Sequence, residues 1–436
     1  MSDGRSRAVP RFDLHTLVHG FAKIGALYIL GMPLTLLANI ALARTLSVTD
    51  FGTFGFTISL ASTLAVPLVG GLPMLLTREI SGYVYHDNWN SYRGIISSAY
   101  GWVGSFAALI VIGVSGLLLW NYSNAPTGGT LLIAALLVPF LGLAAVRSGI
   151  LKGLGRPGLA EAPTQVVQPL LLIVGYFALA QLGLSTANAM LWWYLTVSVI
   201  IFVIAALTLM WVQPAQVASA TASLEDLPQW LRSLVPFAML GAVTTVGAQV
   251  GILLLGFYGA DEDVALLKVA ERGAQLVSFP LAFINAILGP YFVNARNSDD
   301  PKALKRISRF STWLMFVPSL PIAIILVVFG RPLIAMTFGS PYDVLAYQPM
   351  VILVVAHLTS VTLGNSGMML AMSGYERSTL WSMVLSLVLT VVIAIALIAP
   401  LGATGAAIAI AVGAVAAKLF AFFAVKRKLG IWSGLF

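Results

Sequence analysis

From residue 20 to residue 425 the sequence is a succession of about a dozen apolar stretches, each long enough to cross a lipid bilayer. About 20 residues of helix at 1.5 Å per residue span the roughly 30 Å of hydrocarbon. The stretches run near 20–43, 51–76, 95–120, 129–151, 163–182 and 189–212, then 233–257, 264–293, 310–330, 347–371, 379–399 and 404–425. Lipid offers no hydrogen bonds, so each backbone N–H and C=O must be satisfied within its own segment. The expected fold class is therefore all-α and polytopic, with about 12 transmembrane helices.

Composition supports lipid as the solvent. The chain is 59% hydrophobic and 9% charged, against about a quarter charged in soluble domains. Its net charge of +8 is spread over the flanks of the apolar stretches, a pattern that suits anionic lipid and not nucleic acid. Cysteine is absent, so disulfides and thiolate chemistry are excluded. His15 and His19 are four apart but have no third ligand nearby; an interfacial helix is expected there, and no metal or cofactor. The first stretch follows Arg5, Arg7 and Arg11, yet it is too long for a signal peptide and reads as a retained helix.

Loop charges set an expected orientation. Eighteen Lys and Arg residues, among them Arg78, Arg93, Arg147, Lys152, Arg156, Arg232, Lys305, Arg377 and Lys426, fall on one side, against Arg44 and Arg331 on the other. The positive-inside rule then places both termini in the cytoplasm. The expected organisation is a basic segment 1–18, a six-helix half 19–212, a linker 213–232, a second six-helix half 233–425 and a basic tail 426–436. Gly153-Leu154-Gly155-Arg156 and Gly374-Tyr375-Glu376-Arg377 hold equivalent places in the two halves. Two like-oriented halves around a central cavity is a recurrent transporter plan. Gly70-Gly71-Leu72-Pro73 is the expected local break among many proline-bearing spans.

Sequence motifs for catalysis are missing. There is no P-loop, no His-Glu-x-x-His, no Gly-x-Ser-x-Gly and no long outer loop rich in acids or histidines. Asp261-Glu262-Asp263 reads as the N-terminal cap of the eighth span. An enzyme is not expected.

Buried polar residues are more informative. Lys268, Glu271, Arg272 and Gln275 lie three or four apart within one apolar stretch, on one helical face. At about 1.5 Å per residue, Lys268 sits roughly 6 Å and Arg272 roughly 12 Å below the outer end of that helix. Ionisable residues at such depth are costly and mark transport paths. Two cations against one acid leave a net positive face, suited to an anionic headgroup, with Glu271 setting its geometry; a self-satisfied ion-pair network is the alternative. Lys23 and Asn39 in the first span and Gln249 in the seventh are expected to face the same cavity. His357 in the tenth span is a core histidine or a gating, proton-sensitive group.

Several segments resemble the polysaccharide (oligosaccharide) flippases, a family of the superfamily that also holds multidrug and toxin extruders and lipid II flippases. They are Ala43-Arg44-Thr45-Leu46, Asp50-Phe51-Gly52-Thr53-Phe54, Gly153-Leu154-Gly155-Arg156, Ala270-Glu271-Arg272, Gly374-Tyr375-Glu376-Arg377 and Leu401-Gly402-Ala403-Thr404-Gly405-Ala406-Ala407. The resemblance implies a carrier of a polyprenyl-pyrophosphate-linked oligosaccharide, serving O-antigen, capsule or exopolysaccharide assembly. It also implies a cationic cavity, matching Lys268, Arg272 and Lys23. The expected partners are that lipid-linked oligosaccharide and the lipid bilayer, with a polysaccharide polymerase and a chain-length regulator beside a monomeric carrier. A multidrug antiporter and an envelope ligase or polymerase are the competing expectations.

Overall fold

The structure is a computed structural model that describes residues 14–121, 128–297 and 301–435. Side chains of residues 14–26, 28, 121, 128, 282, 283, 285–297, 301–304 and 372 lie outside that description, so those of His15, His19 and Lys23 are not placed. The described chain is helical throughout, with no strand.

The first group of helices is α1 (Leu14–Thr45), α2 (Val48–Leu64), α3 (Val66–Val69), α4 (Leu72–Tyr85), α5 (Trp89–Asn121) and α6 (Gly128–Gly153). It continues through α7 (Pro157–Ala162), a π-helical turn (Pro163–Val167), α8 (Gln168–Gln181) and α9 (Ala187–Val212). A linker holding α10 (Gln216–Ser219) leads to the second group, which opens with α11 (Leu227–Phe257), α12 (Asp261–Asn297) and α13 (Pro301–Val328). The second group then runs through α14 (Gly330–Thr337), α15 (Tyr342–Leu345), α16 (Tyr347–Thr362), α17 (Ser366–Met372) and α18 (Glu376–Leu429).

Among the described residues seven helices are long and apolar enough to cross a membrane, and α2 with α3–α4, bent by 49°, makes an eighth span. That bend falls at Ala65, between α2 and α3; a separate break at Gly70-Gly71, where Gly71 has φ 76°, divides α3 from α4 at the place expected from the sequence. α18 has 54 residues, about 81 Å of helix and more than twice a hydrocarbon core. It breaks at Gly402, with φ 54° and ψ −131°, and so makes two passes, the eleventh and twelfth stretches of the sequence. The tenth stretch is itself broken: α16 ends at Thr362 and α17 begins at Ser366. α12 spans 37 residues while carrying Lys268, Glu271 and Arg272, which sets it apart from its apolar neighbours.

One core joins the two groups. Leu42, Phe51 and Phe54 of the first pack in the same cluster as Leu267, Ala270, Met350 and Val354 of the second. A second cluster, with Leu68, Leu76, Ile80, Val138 and Ile150, lies mostly in the first group and takes in Trp230 at the start of α11. Lipid tails are as apolar as leucine, so such packing stabilises through close van der Waals fit and polar ties, not through water expulsion.

Polar ties fasten the linker. The Tyr83 hydroxyl of α4 donates to Asp226 at 3.0 Å and accepts from the Trp230 indole at 2.8 Å. Asn90 accepts from the Thr221 amide at 3.0 Å. Removing one hydroxyl leaves a donor and an acceptor without partners, a loss of about 1–3 kcal/mol. Tyr83→Phe is therefore expected to lower the melting temperature in detergent by a few degrees; an unchanged melting curve would mean that water serves both groups.

Candidate functional site

At the α1–α2 turn the two groups meet along α2 and α12. Thr53 donates to Asp261 at 3.0 Å and Thr49 to Glu262 at 3.4 Å. Arg44 donates to the carbonyls of Met336 and Thr337 at the end of α14. Asp50 accepts from the Ala187 amide at 3.0 Å, capping α9, and Asp263 accepts from the Ala403 amide at 2.9 Å, satisfying the break in α18. The acids Asp261, Glu262 and Asp263 do occupy the first turn of α12, and all three also reach out to other elements. The pairing of Asp261 and Glu262 with α2 makes this end of the bundle a closed seam.

Glycines in α2 allow the approach. A Cβ on Gly52 would fall 1.7 Å from the Asp261 carbonyl oxygen, and one on Gly55 would fall 2.5 Å from Lys268 Cε. The Lys268 stem therefore crosses α2 over Gly55 and carries its ammonium into the first group.

There it meets a cavity of about 180 Å3. Thr35, Asn39 and Leu42 of α1, Phe51, Phe54 and Ile58 of α2, and Gln168, Tyr176 and Tyr194 of α8 and α9 line it. Lys268 and Arg272 of α12 complete the wall. The site is composite: the pocket belongs to the first group of helices, the two cations to the second. Among the described residues no Asp or Glu lines it. The Arg272 guanidinium donates to Gln275 Oε1 at 3.0 Å, one turn along the same helix. The Asn39 amide, which lines the pocket, donates to the Thr35 carbonyl at 2.7 Å. Phe54 packs edge-on against Tyr176 and Tyr194, with ring centroids 6.3 and 5.9 Å away.

The structure thus brings together Lys268, Arg272 and Asn39. Gln275 touches Arg272 without lining the pocket, and Glu271, Gln249 and His357 are not among its lining residues. Among the described residues no ion pair within 4 Å joins Glu271 to either cation; the ion pairs there are Arg78–Glu79 and Lys152–Glu161. Lys23 lies in α1, and its side chain is outside the described residues.

Sequence reading missed the far wall. Gln168 precedes a proline within an apolar run, a polar intrusion that could have been singled out. Tyr194 follows Trp192-Trp193 and reads as an interfacial aromatic. Arg147, grouped by sequence with the loop cations, is instead buried within α6 at 4% exposure. Its guanidinium carbon lies 3.7 Å from the Phe202 ring centroid and it donates to the Phe202 carbonyl, while Nε has no partner. It lines a smaller cavity of about 80 Å3 that shares Thr164 and Gln168 with the first. The π-helical turn lies between the two cavities, a position typical of functional distortions.

Residues 17–296 match the family described as polysaccharide biosynthesis protein. The chain belongs to that family. No curated protein matches it. Among solved structures it is similar to an inward-facing multidrug resistance transporter of the MATE family in the MOP superfamily, with 15% identity and a TM-score of 0.76 over 92% of this chain and 94% of that one. The lipid II flippase MurJ in an inward closed conformation gives 14% identity and a TM-score of 0.74, over 93% and 87%. A MOP superfamily transporter from Pyrococcus furiosus Vc1 gives 15% identity and 0.64, over 94% and 95%. At such identities the likeness establishes the fold, that of the MOP transporters. The family and the fold together make this a multi-pass membrane protein of the polysaccharide biosynthesis family, with transporters as its structural neighbours.

Proposed function

We propose that the protein flips a polyprenyl-pyrophosphate-linked oligosaccharide from the cytoplasmic to the periplasmic leaflet of a bacterial inner membrane, for surface polysaccharide assembly. The observation that carries this reading is the composite pocket, whose charged lining residues among the described ones are Lys268 and Arg272. A diphosphate brings at least two negative charges to sites where water is scarce and Coulomb attraction is strong. Arginine's planar fork matches phosphate oxygens two at a time, and lysine adds a point charge. The polyprenyl tail stays in lipid, the sugars need a wet path, and no chemical bond changes.

The seam gives the cycle its physical basis. α12 carries the seam acids Asp261 and Glu262 in its first turn, with Lys268 and Arg272 further along. Drawing α12 away from α2 would break the seam and withdraw both cations from the pocket in one movement. Headgroup affinity is then high with the seam closed and low with it open, the differential binding that a ligand needs to shift and be released by a two-state carrier. The excess of Lys and Arg at the other end supports a periplasmic seam with both termini cytoplasmic. Within this reading the carrier works as a monomer and hands its cargo to a polymerase with its chain-length regulator.

A multidrug extruder for cations is the second reading, since such transporters share the fold. It needs an uncompensated carboxylate in the cavity, and none of the described residues that line this one is an Asp or Glu.

Arg272→Ala is the test. Surface glycan is expected to fall below about 1% of wild type, because a lost charge-assisted pair costs about 3 kcal/mol, or more where the partner stays buried. Membrane abundance of the variant should be unchanged. Normal surface glycan would contradict the role of the cations. Sensitivity to cationic dyes in a deletion strain with intact glycan would favour the extruder.

A further inference from the structure

The segment after α18 turns back into the bundle. Gly430, with φ 71°, caps α18, and residues 431–435 enter a cleft between α13, the α16–α17 break and the last turns of α18. Ser433 is its centre. Its carbonyl accepts from Thr312 at 3.0 Å and Ser308 at 3.3 Å; its hydroxyl lies 2.9 Å from that of Ser366 and donates to the Leu363 carbonyl at 3.3 Å. The Leu435 amide donates to the Thr362 carbonyl at 3.2 Å. Ser308, Thr312, Ser366 and Ser433 are all fully buried. Trp432 stacks on Phe422 at 4.9 Å, with the Lys426 ammonium 3.6 Å from its ring centroid.

The break explains why such a segment is needed. Between α16 and α17 the helical ladder lapses at residues 363–365, and the carbonyls of Thr362 and Leu363 look outside their helix for donors. In the first group the corresponding span, α6, runs unbroken from Gly128 to Gly153. Non-helical backbone at membrane depth persists only where other protein groups or water satisfy it. Here the returning segment supplies the Leu435 amide to the Thr362 carbonyl, and its Ser433 hydroxyl joins that of Ser366, 2.9 Å away, on the Leu363 carbonyl. These are neutral hydroxyl and amide bonds, each of small net worth when water can take the place of the lost partner.

We propose that Ile431–Leu435 is a reversible strap on a hinge at residues 363–365. Seated, it fixes α17 to α13 and α18; unseated, it frees α17 to swing. The movement reaches the transport site, because α16 lies against α12, where Met350 packs on Gly273. Gly364 marks the seat: its φ is 74°, and a Cβ there would fall 1.9 Å from the Ser433 carbonyl oxygen.

The test uses the absence of native cysteines. In a Ser366→Cys/Ser433→Cys variant, oxidation should lock the strap. Amide hydrogen exchange across residues 363–372, read by mass spectrometry on the full chain in detergent, is expected to slow at least about tenfold. Reductant should reverse the effect. Gly364→Ala, which unseats the strap, should accelerate the same amides. Exchange that is identical in oxidised and reduced protein would show that the strap never leaves and overturn the proposal. The readout needs no transported substrate, so it stands whatever the cargo is.

Discussion

Oxidising a Thr53→Cys/Asp261→Cys variant is expected to stop transport almost completely, and reductant to restore it. The two side chains meet across the seam at 3.0 Å, and the chain has no other thiol to compete. A disulfide there joins α2 to α12 covalently, so the state in which the cations leave the pocket can no longer form. A hydrogen bond of this kind is worth about 0.5–1.5 kcal/mol net, little enough to break in each cycle; a covalent bond is not broken by thermal motion. Residual transport should equal the unoxidised fraction, measured by thiol labelling of the same sample. Each single cysteine variant should retain most of its transport, since only one weak tie is lost. Undiminished transport by fully oxidised protein would show that the seam stays shut during the cycle.

The second large effect concerns Gly52. Gly52→Leu should abolish transport and destabilise the protein in the membrane. A side chain there meets the Asp261 backbone carbonyl at 1.7 Å, and backbone cannot move aside as a flexible side chain can. Overpacking a fitted interface costs about 1–3 kcal/mol or more, and here the strain forces α2 from α12 and lifts Lys268 and Arg272 from the pocket. Gly104→Ala is the matched control. It lies in α5, where an added Cβ would meet nothing within 4 Å, so it should be neutral or gain a few tenths of a kcal/mol in helix propensity. The comparison is read from export of surface glycan and from melting in detergent. Equal behaviour of the two variants would mean that α2 and α12 do not approach in the functional protein.

The same contacts explain why short motifs carried so much of the sequence reading. Arg44, Asp50, Gly52 and Thr53 lie in one short segment, and Gly402 and Ala403 in another far along the chain. Four of them meet partners at one end of the bundle: Arg44 on α14, Asp50 on α9, Thr53 on α12, Ala403 on Asp263. Small and polar residues at those positions are what close backbone approach in lipid requires. The helical class was legible for a similar reason, because lipid permits so few alternatives to a helix.

The pocket was legible only in part. Charge at membrane depth points to Lys268 and Arg272 whatever their neighbours are. Helical spacing does not say which neighbour each one meets, so Glu271 and Gln249 were grouped with them although neither lines the cavity. Tyr194 and Tyr176 look like ordinary membrane aromatics until the fold sets them opposite the cations. Arg147 misled because it stands near the end of an apolar stretch, where a loop cation and a buried one look alike; only the stacked Phe202 ring, 55 residues further on, distinguishes them. The break at residues 363–365 carries no proline, and the segment that satisfies it comes from the far end of the chain.

The most direct measurement reconstitutes the purified protein in vesicles with a fluorescent polyprenyl-pyrophosphate-linked oligosaccharide and follows its exchange between leaflets by quenching from outside. The account predicts exchange that is fast with the wild type and at background with a Lys268→Ala/Arg272→Ala variant of normal fold. It also predicts weak exchange of a neutral polyprenyl glycoside of the same sugars, because that lipid offers the cations no phosphate. Equal exchange of the charged and neutral lipids, or full exchange by the double variant, would contradict it.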